Sequence, residues 1–263
     1  MLTRITEEIS LIKVKFHNIH TSVFLIKLDT GYALFDSGTT ESDVNETIMP
    51  AIAMAGITPL EVRFLFISHT HSDHFGGAAA LLSRLPSARL VLVDTDRAVR
   101  DGFADRLFEG EPSEYSPIVT LSFSGHSRDC LALYDARTRT LLSGDAVQLF
   151  GVSRWGTGVS DIDGYFAALD LLREMSIELL VTSHEYYPLG QIAAGRLAVG
   201  RYLDVSEAAL RELIAYYALC DNGDPEESAL RFTESKREEN PDFPIQQAGA
   251  ARAIFNWISE MGS

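Results

Sequence analysis

The stretch Ile67-Ser68-His69-Thr70-His71-Ser72-Asp73-His74-Phe75-Gly76-Gly77 decides how this chain is read. An apolar run, Val62 to Ile67, leads into it and reads as a buried strand. Ala78-Ala79-Ala80-Leu81-Leu82 follows and reads as the opening of a helix. Three imidazoles and a carboxylate therefore sit in a tight strand-to-helix turn. His69 and His71 are two apart, so in extended backbone both side chains point to the same face. Asp73 and His74 come where the chain bends and can approach from another side. Neutral imidazole nitrogens and carboxylate oxygens are what a zinc-like divalent ion binds. The chain has only seven histidines, and three of them are here.

Working outward, the remaining polar groups at strand ends come in order. Ile118 to Phe123 reads as a strand and is followed by Ser124-Gly125-His126-Ser127. Asp135-Ala136-Arg137-Thr138 reads as a hairpin turn, and the return strand Thr140 to Ser143 delivers Gly144-Asp145-Ala146. Glu178 to Thr182 reads as a further strand, followed by Ser183-His184-Glu185-Tyr186-Tyr187-Pro188. Upstream, Ile9 to Phe16, Ser22 to Leu28 and Tyr32 to Phe35 read as strands, the last closed by Asp36-Ser37-Gly38. Thr40 and Asp43 form a capping pair, and Val44, Ile48, Ala51, Ile52 and Ala55 share a helical face that Gly56 ends. Ile162, Tyr165, Phe166, Leu169, Leu172 and Met175 make another such stripe. From Gln191 onward the composition reads as helical, with Pro225 as a first helical residue after Asp224. The expected partition is a first domain over 1–190 and a helical C-terminal appendage over 191–263 that caps the pocket or makes a homodimer contact.

The His69-Thr70-His71-Ser72-Asp73-His74 string resembles the HxHxDH signature of the metallo-β-lactamase-fold superfamily. The resemblance covers roughly residues 10–190. It implies an α/β fold, a four-layer αββα sandwich with the site at one edge. It also implies two divalent metal ions. His69, His71 and His126 would hold the first, Asp73, His74 and His184 the second, and Asp145 would bridge them. Asp36 would support a ligand by hydrogen bonding from beneath. Many relatives read Gly-His-Thr-Pro-Gly-His where this chain has Gly125-His126-Ser127-Arg128-Asp129-Cys130, so the ligand matches and the turn departs. Cys130 opens the apolar run Leu131 to Tyr134 and reads as a buried strand residue rather than a ligand. Glu185 and Tyr186 beside His184 are similar to the sequence of glyoxalase-II-like thioesterases. Tyr186 and Trp155, the latter in a glycine-rich loop, are candidates for substrate contact. His17 and His20 read as turn residues or as part of a loop overhanging the metals.

Composition narrows the function. The chain has 263 residues, 46% hydrophobic and 22% charged, which is ordinary for a globular protein. A net charge of −15 opposes nucleic acid as a partner, which needs clustered Lys and Arg. Two cysteines are too few for a disulfide framework. No basic region leads into an apolar core at the N-terminus and no run of about twenty apolar residues exists. The expectation is a cytoplasmic enzyme with a small-molecule substrate and no membrane partner. Two cations would bring a bound water toward neutrality in pKa and stabilise a tetrahedral oxyanion, with Asp73 orienting the nucleophile and shuttling its proton. The expected reaction is hydrolysis of a thioester, lactone or ester, with zinc as the metal and iron or manganese equally suited to the ligands. The alternatives are a mononuclear iron dioxygenase acting on a thiol or persulfide, and a slow-turnover ligand-binding protein on the same fold.

Overall fold

A computed structural model of the chain describes residues 2–220 and 223–261. The strands are β1 Leu2–Arg4, β2 Ile9–Phe16, β3 Ile19–Leu28, β4 Gly31–Phe35, β5 Val62–Phe66, β6 Arg89–Val91, β7 Ile118–Phe123, β8 Cys130–Asp135, β9 Thr140–Leu142, β10 Leu179–Tyr186 and β11 Gly190–Ala194. The α-helices are α1 Glu41–Asp43, α2 Met49–Met54, α3 Ser72–Phe75, α4 Ala78–Arg84, α5 Thr95–Arg100, α6 Ile162–Glu174, α7 Arg196–Tyr217, α8 Pro225–Arg237 and α9 Ala248–Met261. One sheet has six strands in sequential order, and the other runs β11-β10-β9-β8-β7. The α/β reading of the sequence is borne out.

Contacts divide the chain into two compact units. The first runs to Ser122 and includes Leu131–Gly144, and the second holds Phe123–Cys130 and everything from Asp145. In the first unit, β1 to β4 pair antiparallel while β4-β5 and β5-β6 pair parallel. Strand residues alternate between faces. One face sends Ile12, Val14, Val23, Leu25, Leu34 and Leu65 into a core with Val44, Ile48, Ile52, Leu81 and Leu82. The other carries Phe64 and Phe66, which meet Tyr115 edge-on at 5.6 and 5.2 Å between ring centroids. Burial on both faces fixes the register, because a slip of one residue would exchange them. The ends of β4 and β5 that carry the polar motifs are thereby held rigidly.

The stretch after Thr40 is not one regular helix. Thr40 and Asp43 do form a reciprocal cap. Over Val44–Ile48 the turn widens, and the Met49 N–H bonds back five residues to the Val44 carbonyl. Pro50 follows, and it has no N–H with which to continue the regular ladder. Ala55 is exposed rather than on the buried face.

In the second unit two expectations change. The strand expected to stop at Thr182 continues to Tyr186, so His184 lies inside β10 and not after it. The pairing of β10 with β11 shifts register between Val181 and Tyr186, which is how a long strand accommodates an irregular, functional segment. Residue 190, the expected end of the first domain, opens β11, a strand where the composition reads as helical. Its partner β10 overrides a weak local preference. Beyond it, α7 buries Tyr202, Leu203, Leu210 and Leu213. Asp224 caps α8 by accepting the N–H groups of Glu226 and Glu227, with Pro225 leading the helix.

Candidate metal centre

The strand β5 hands the chain directly to Ser68 and His69. His71 takes an extended conformation immediately before α3, which carries Asp73 and His74. The turn after β4 passes against the end of this short helix. Ser37 donates its N–H and its hydroxyl to the His74 carbonyl at 2.8 and 2.7 Å. A Cβ on Gly77 would stand 2.1 Å from the Ser37 carbonyl oxygen, so the second glycine of the motif is there for close backbone approach.

His69 is 1% exposed, and its Nε2 lies 2.8 Å from His71 Nδ1. Two nitrogens on one face at this spacing suit a shared ligand. His74 is fully buried; its Nδ1 lies 2.7 Å from Asp36 Oδ2 and its Nε2 lies 3.2 Å from Asp73 Oδ2. Asp36 sits beneath with φ 69°, a conformation that Asp tolerates better than most residues. It accepts the Ser68 N–H at 2.7 Å and the Ser68 hydroxyl at 2.9 Å. Burial pushes the Asp36 carboxyl up, and His74 and Ser68 pull it back toward ionisation. Ser68 escaped the sequence reading. Its hydroxyl also lies 3.1 Å from His69 Nδ1, so one serine touches the surroundings of two histidines. Its position between strand and motif was the only signal.

In the second unit, His126 follows Gly125, whose carbonyl accepts the N–H groups of Ser160 and Asp161 at 2.8 and 3.0 Å. Asp161 caps α6, so the ligand turn is fastened to a helix start. His126 Nε2 lies 3.8 Å from Asp145 Oδ2, and His184 Nε2 lies 3.5 Å from the same oxygen. One carboxylate oxygen thus stands between two imidazole nitrogens. His126 Nδ1 lies 3.0 Å from the Gly158 carbonyl oxygen and 3.0 Å from Gln148 Nε2. Neither Gly158 nor Gln148 was singled out from sequence.

Each unit gathers its own candidate ligands: His69, His71, Asp73 and His74 in the first, and His126 and His184 around one Asp145 oxygen in the second. The donor set is imidazole and carboxylate, which suits zinc, iron and manganese. His74 and His126 turn their other nitrogen toward an oxygen acceptor, the outer arrangement that metal-binding histidines use. The residues present therefore fit divalent metal ions. Cys130 is in none of these groups. It is 2% exposed, and burial pushes its thiol up to about 11, so without a metal beside it the thiol keeps its proton at neutral pH.

His17 occupies a turn with φ 51°, its ring 4.7 Å from that of Phe16, and neither His17 nor His20 is in a ligand group. Tyr186 is 2% exposed and meets His184 edge-on at 5.8 Å. Trp155 is 36% exposed, with the Arg154 guanidinium 5.0 Å over its ring.

The family model of the metallo-beta-lactamase superfamily matches residues 19–124. That match takes in somewhat less than half of the chain, and over it the chain is similar to the metallo-β-lactamase superfamily. Solved structures of this superfamily share its fold. A metallo-β-lactamase family protein from Thermus thermophilus superposes with a TM-score of 0.67 at 18% identity, covering 98% of this chain and 95% of that one. The metallo-β-lactamase FIM-1 from Pseudomonas aeruginosa gives 0.61 at 18% identity, over 80% and 95%. Among curated relatives, a hydroxyacylglutathione hydrolase from Synechococcus sp. (strain JA-2-3B'a(2-13)) is 31% identical over 146 residues, 54% of this chain and 56% of the relative. An atrochrysone carboxyl ACP thioesterase from Passalora fulva is 24% identical over 213 residues, 78% and 60%. The chain spans somewhat more than half the length of these curated relatives. Among the described residues, no helix is long and apolar enough to cross a membrane.

Proposed function

We propose that this chain is a metal-dependent hydrolase of a small carboxylic derivative, with a thioester as the preferred class and two zinc ions as the cofactor. The observation that carries the reading is the clustering of candidate ligands within each unit, with His69 against His71 and His74 against Asp73 in one, and His126 and His184 about Asp145 Oδ2 in the other. The curated relatives named hydroxyacylglutathione hydrolase and thioesterase support the thioester. His69, His71 and His126 would hold one ion, Asp73, His74 and His184 the other, and Asp145 would touch both. Bound there, divalent ions lower the pKa of water and polarise a carbonyl oxygen.

The protein's own groups prepare that chemistry. Asp36 accepts the Nδ1 proton of His74, leaving the Nε2 lone pair toward Asp73. With His126 ligating through Nε2, the Gly158 carbonyl would do the same for its Nδ1 proton, leaving Nε2 toward Asp145. Asp73, 8% exposed, is the carboxylate that can take up a proton and return it. A departing thiolate needs little help, since a thiol has a pKa of about 8.5. This favours a thioester over an amide, whose leaving nitrogen must be protonated by an acid.

The test is metal content of protein purified without added metal, followed by turnover of hydroxyacylglutathione thioesters, lactones and simple esters. About two ions per chain and fastest turnover of the thioester support the reading. One iron per chain with oxygen uptake on thiol substrates would move the assignment to a dioxygenase. An Asp145→Ala variant with full activity and unchanged metal content would refute the ligand assignment.

A further inference from the structure

His126 is held by a small set of contacts that the reaction does not itself require. Gln148, 3% exposed, lies in the loop just after Asp145. Its Oε1 accepts the Gly158 N–H at 2.7 Å. Its Nε2, a donor, and the Gly158 carbonyl oxygen, an acceptor, both lie 3.0 Å from His126 Nδ1, so the ring tautomer decides which of the two Nδ1 bonds. The backbone of Gln148 is fixed in turn. Its N–H donates to the Tyr165 hydroxyl on α6 at 2.9 Å, and its carbonyl accepts from the Ser206 hydroxyl on α7. The loop between Gln148 and Gly158 is braced again from the segment before α9. Gln246, also 3% exposed, donates to the Phe150 carbonyl at 2.8 Å and accepts the Thr157 N–H at 3.1 Å.

We propose that Gln148 is a positioning residue for the ligand His126, acting through Gly158. This rests on the metal-hydrolase reading above. For His126 Nε2 to ligate, Nδ1 must carry the ring proton, and that proton needs an acceptor. In that ligating tautomer the acceptor is the Gly158 carbonyl, the Gly158 peptide is held in place by Gln148 Oε1, and Gln148 Nε2 packs against the ring without a hydrogen bond to it. Space enforces the arrangement: a Cβ on residue 158 would come within 2.7 Å of His126 Nδ1. Loss of the glutamine leaves a part-buried N–H without its acceptor and frees the peptide to turn. The imidazole then loses its preferred tautomer and orientation.

The experiment compares wild type, Gln148→Met and Gln148→Glu as full-length, metal-loaded proteins. The reading is the chelator concentration that removes half of the bound metal, with unfolding temperatures taken alongside. Partners of this kind typically contribute about 10–100-fold in metal affinity. Gln148→Met is expected to release metal at chelator concentrations lower by about that factor. Gln148→Glu is expected to retain metal at least as well as wild type, because a carboxylate keeps the bond from the Gly158 N–H and puts an acceptor in place of the amide donor against His126 Nδ1–H. Metal retention in Gln148→Met equal to wild type would overturn the inference. Equal loss in both variants would also overturn it, since a packing role alone gives a buried carboxylate no reason to rescue. A wild-type chain that holds no metal would overturn the metal-site reading itself, an outcome distinct from the other two.

Discussion

Gly158→Ala isolates one contact of the candidate centre. The added Cβ would stand 2.7 Å from both Cε1 and Nδ1 of His126. Carbon atoms pack best at about 3.5–4.0 Å, so the ring and the loop must part by about 1 Å. Gly158 does not have a positive φ, so alanine introduces no backbone strain of its own. Metal–ligand distances tolerate only about 0.2 Å. A ligand displaced by about 1 Å is therefore expected to lower metal affinity and turnover by on the order of 10²-fold, or about 2.7 kcal/mol. Overpacking adds a stability cost of about 1–3 kcal/mol. The assay is chelator competition for the ions, steady-state hydrolysis and thermal unfolding on the same preparation. Gly200→Ala is the control, because a Cβ there meets nothing within 4 Å and the residue lies inside α7. It is expected to stabilise the protein by about 0.5–1 kcal/mol and leave metal binding alone. Wild-type metal affinity and turnover in Gly158→Ala would refute the placement of His126 against Gly158.

Asp36→Asn keeps a side chain that tolerates the positive φ and keeps an oxygen for the Ser68 N–H, but it turns an amide donor toward His74 Nδ1–H. The expected result is a folded protein with about 10–100-fold weaker retention of metal, read by chelator competition. Unchanged retention would remove Asp36 from the site. Cys130 is expected to resist iodoacetamide in the folded protein at pH 8 and to react once urea exposes it. Its thiol keeps its proton in the folded state up to about 11, against an ordinary 9.0, so its contribution to stability falls as pH rises through that window. Mass spectrometry showing Cys130 labelled in the native chain would contradict its burial.

What the sequence by itself determined is local. His69, His71, Asp73 and His74 fall within six residues, and a strand followed by a short helix is enough to bring their ligand atoms together. The alternating apolar strands and the Asp224-Pro225 helix start were legible for the same reason, since each rests on neighbours along the chain. His126, Asp145 and His184 could be ordered by resemblance, yet the residues that hold them depend on folding. Ser68 reaches Asp36 across 32 positions, Gln148 reaches His126 across 22, and Gln246 reaches Thr157 across 89. No periodicity or motif encodes such pairs, because a hydrogen bond between distant segments leaves no pattern in either one. The same applies to β11, whose composition favours helix until β10 offers its ladder. Tertiary structure alone decided which glycine approaches an imidazole, which carbonyl takes its proton, and which glutamine keeps that carbonyl in position.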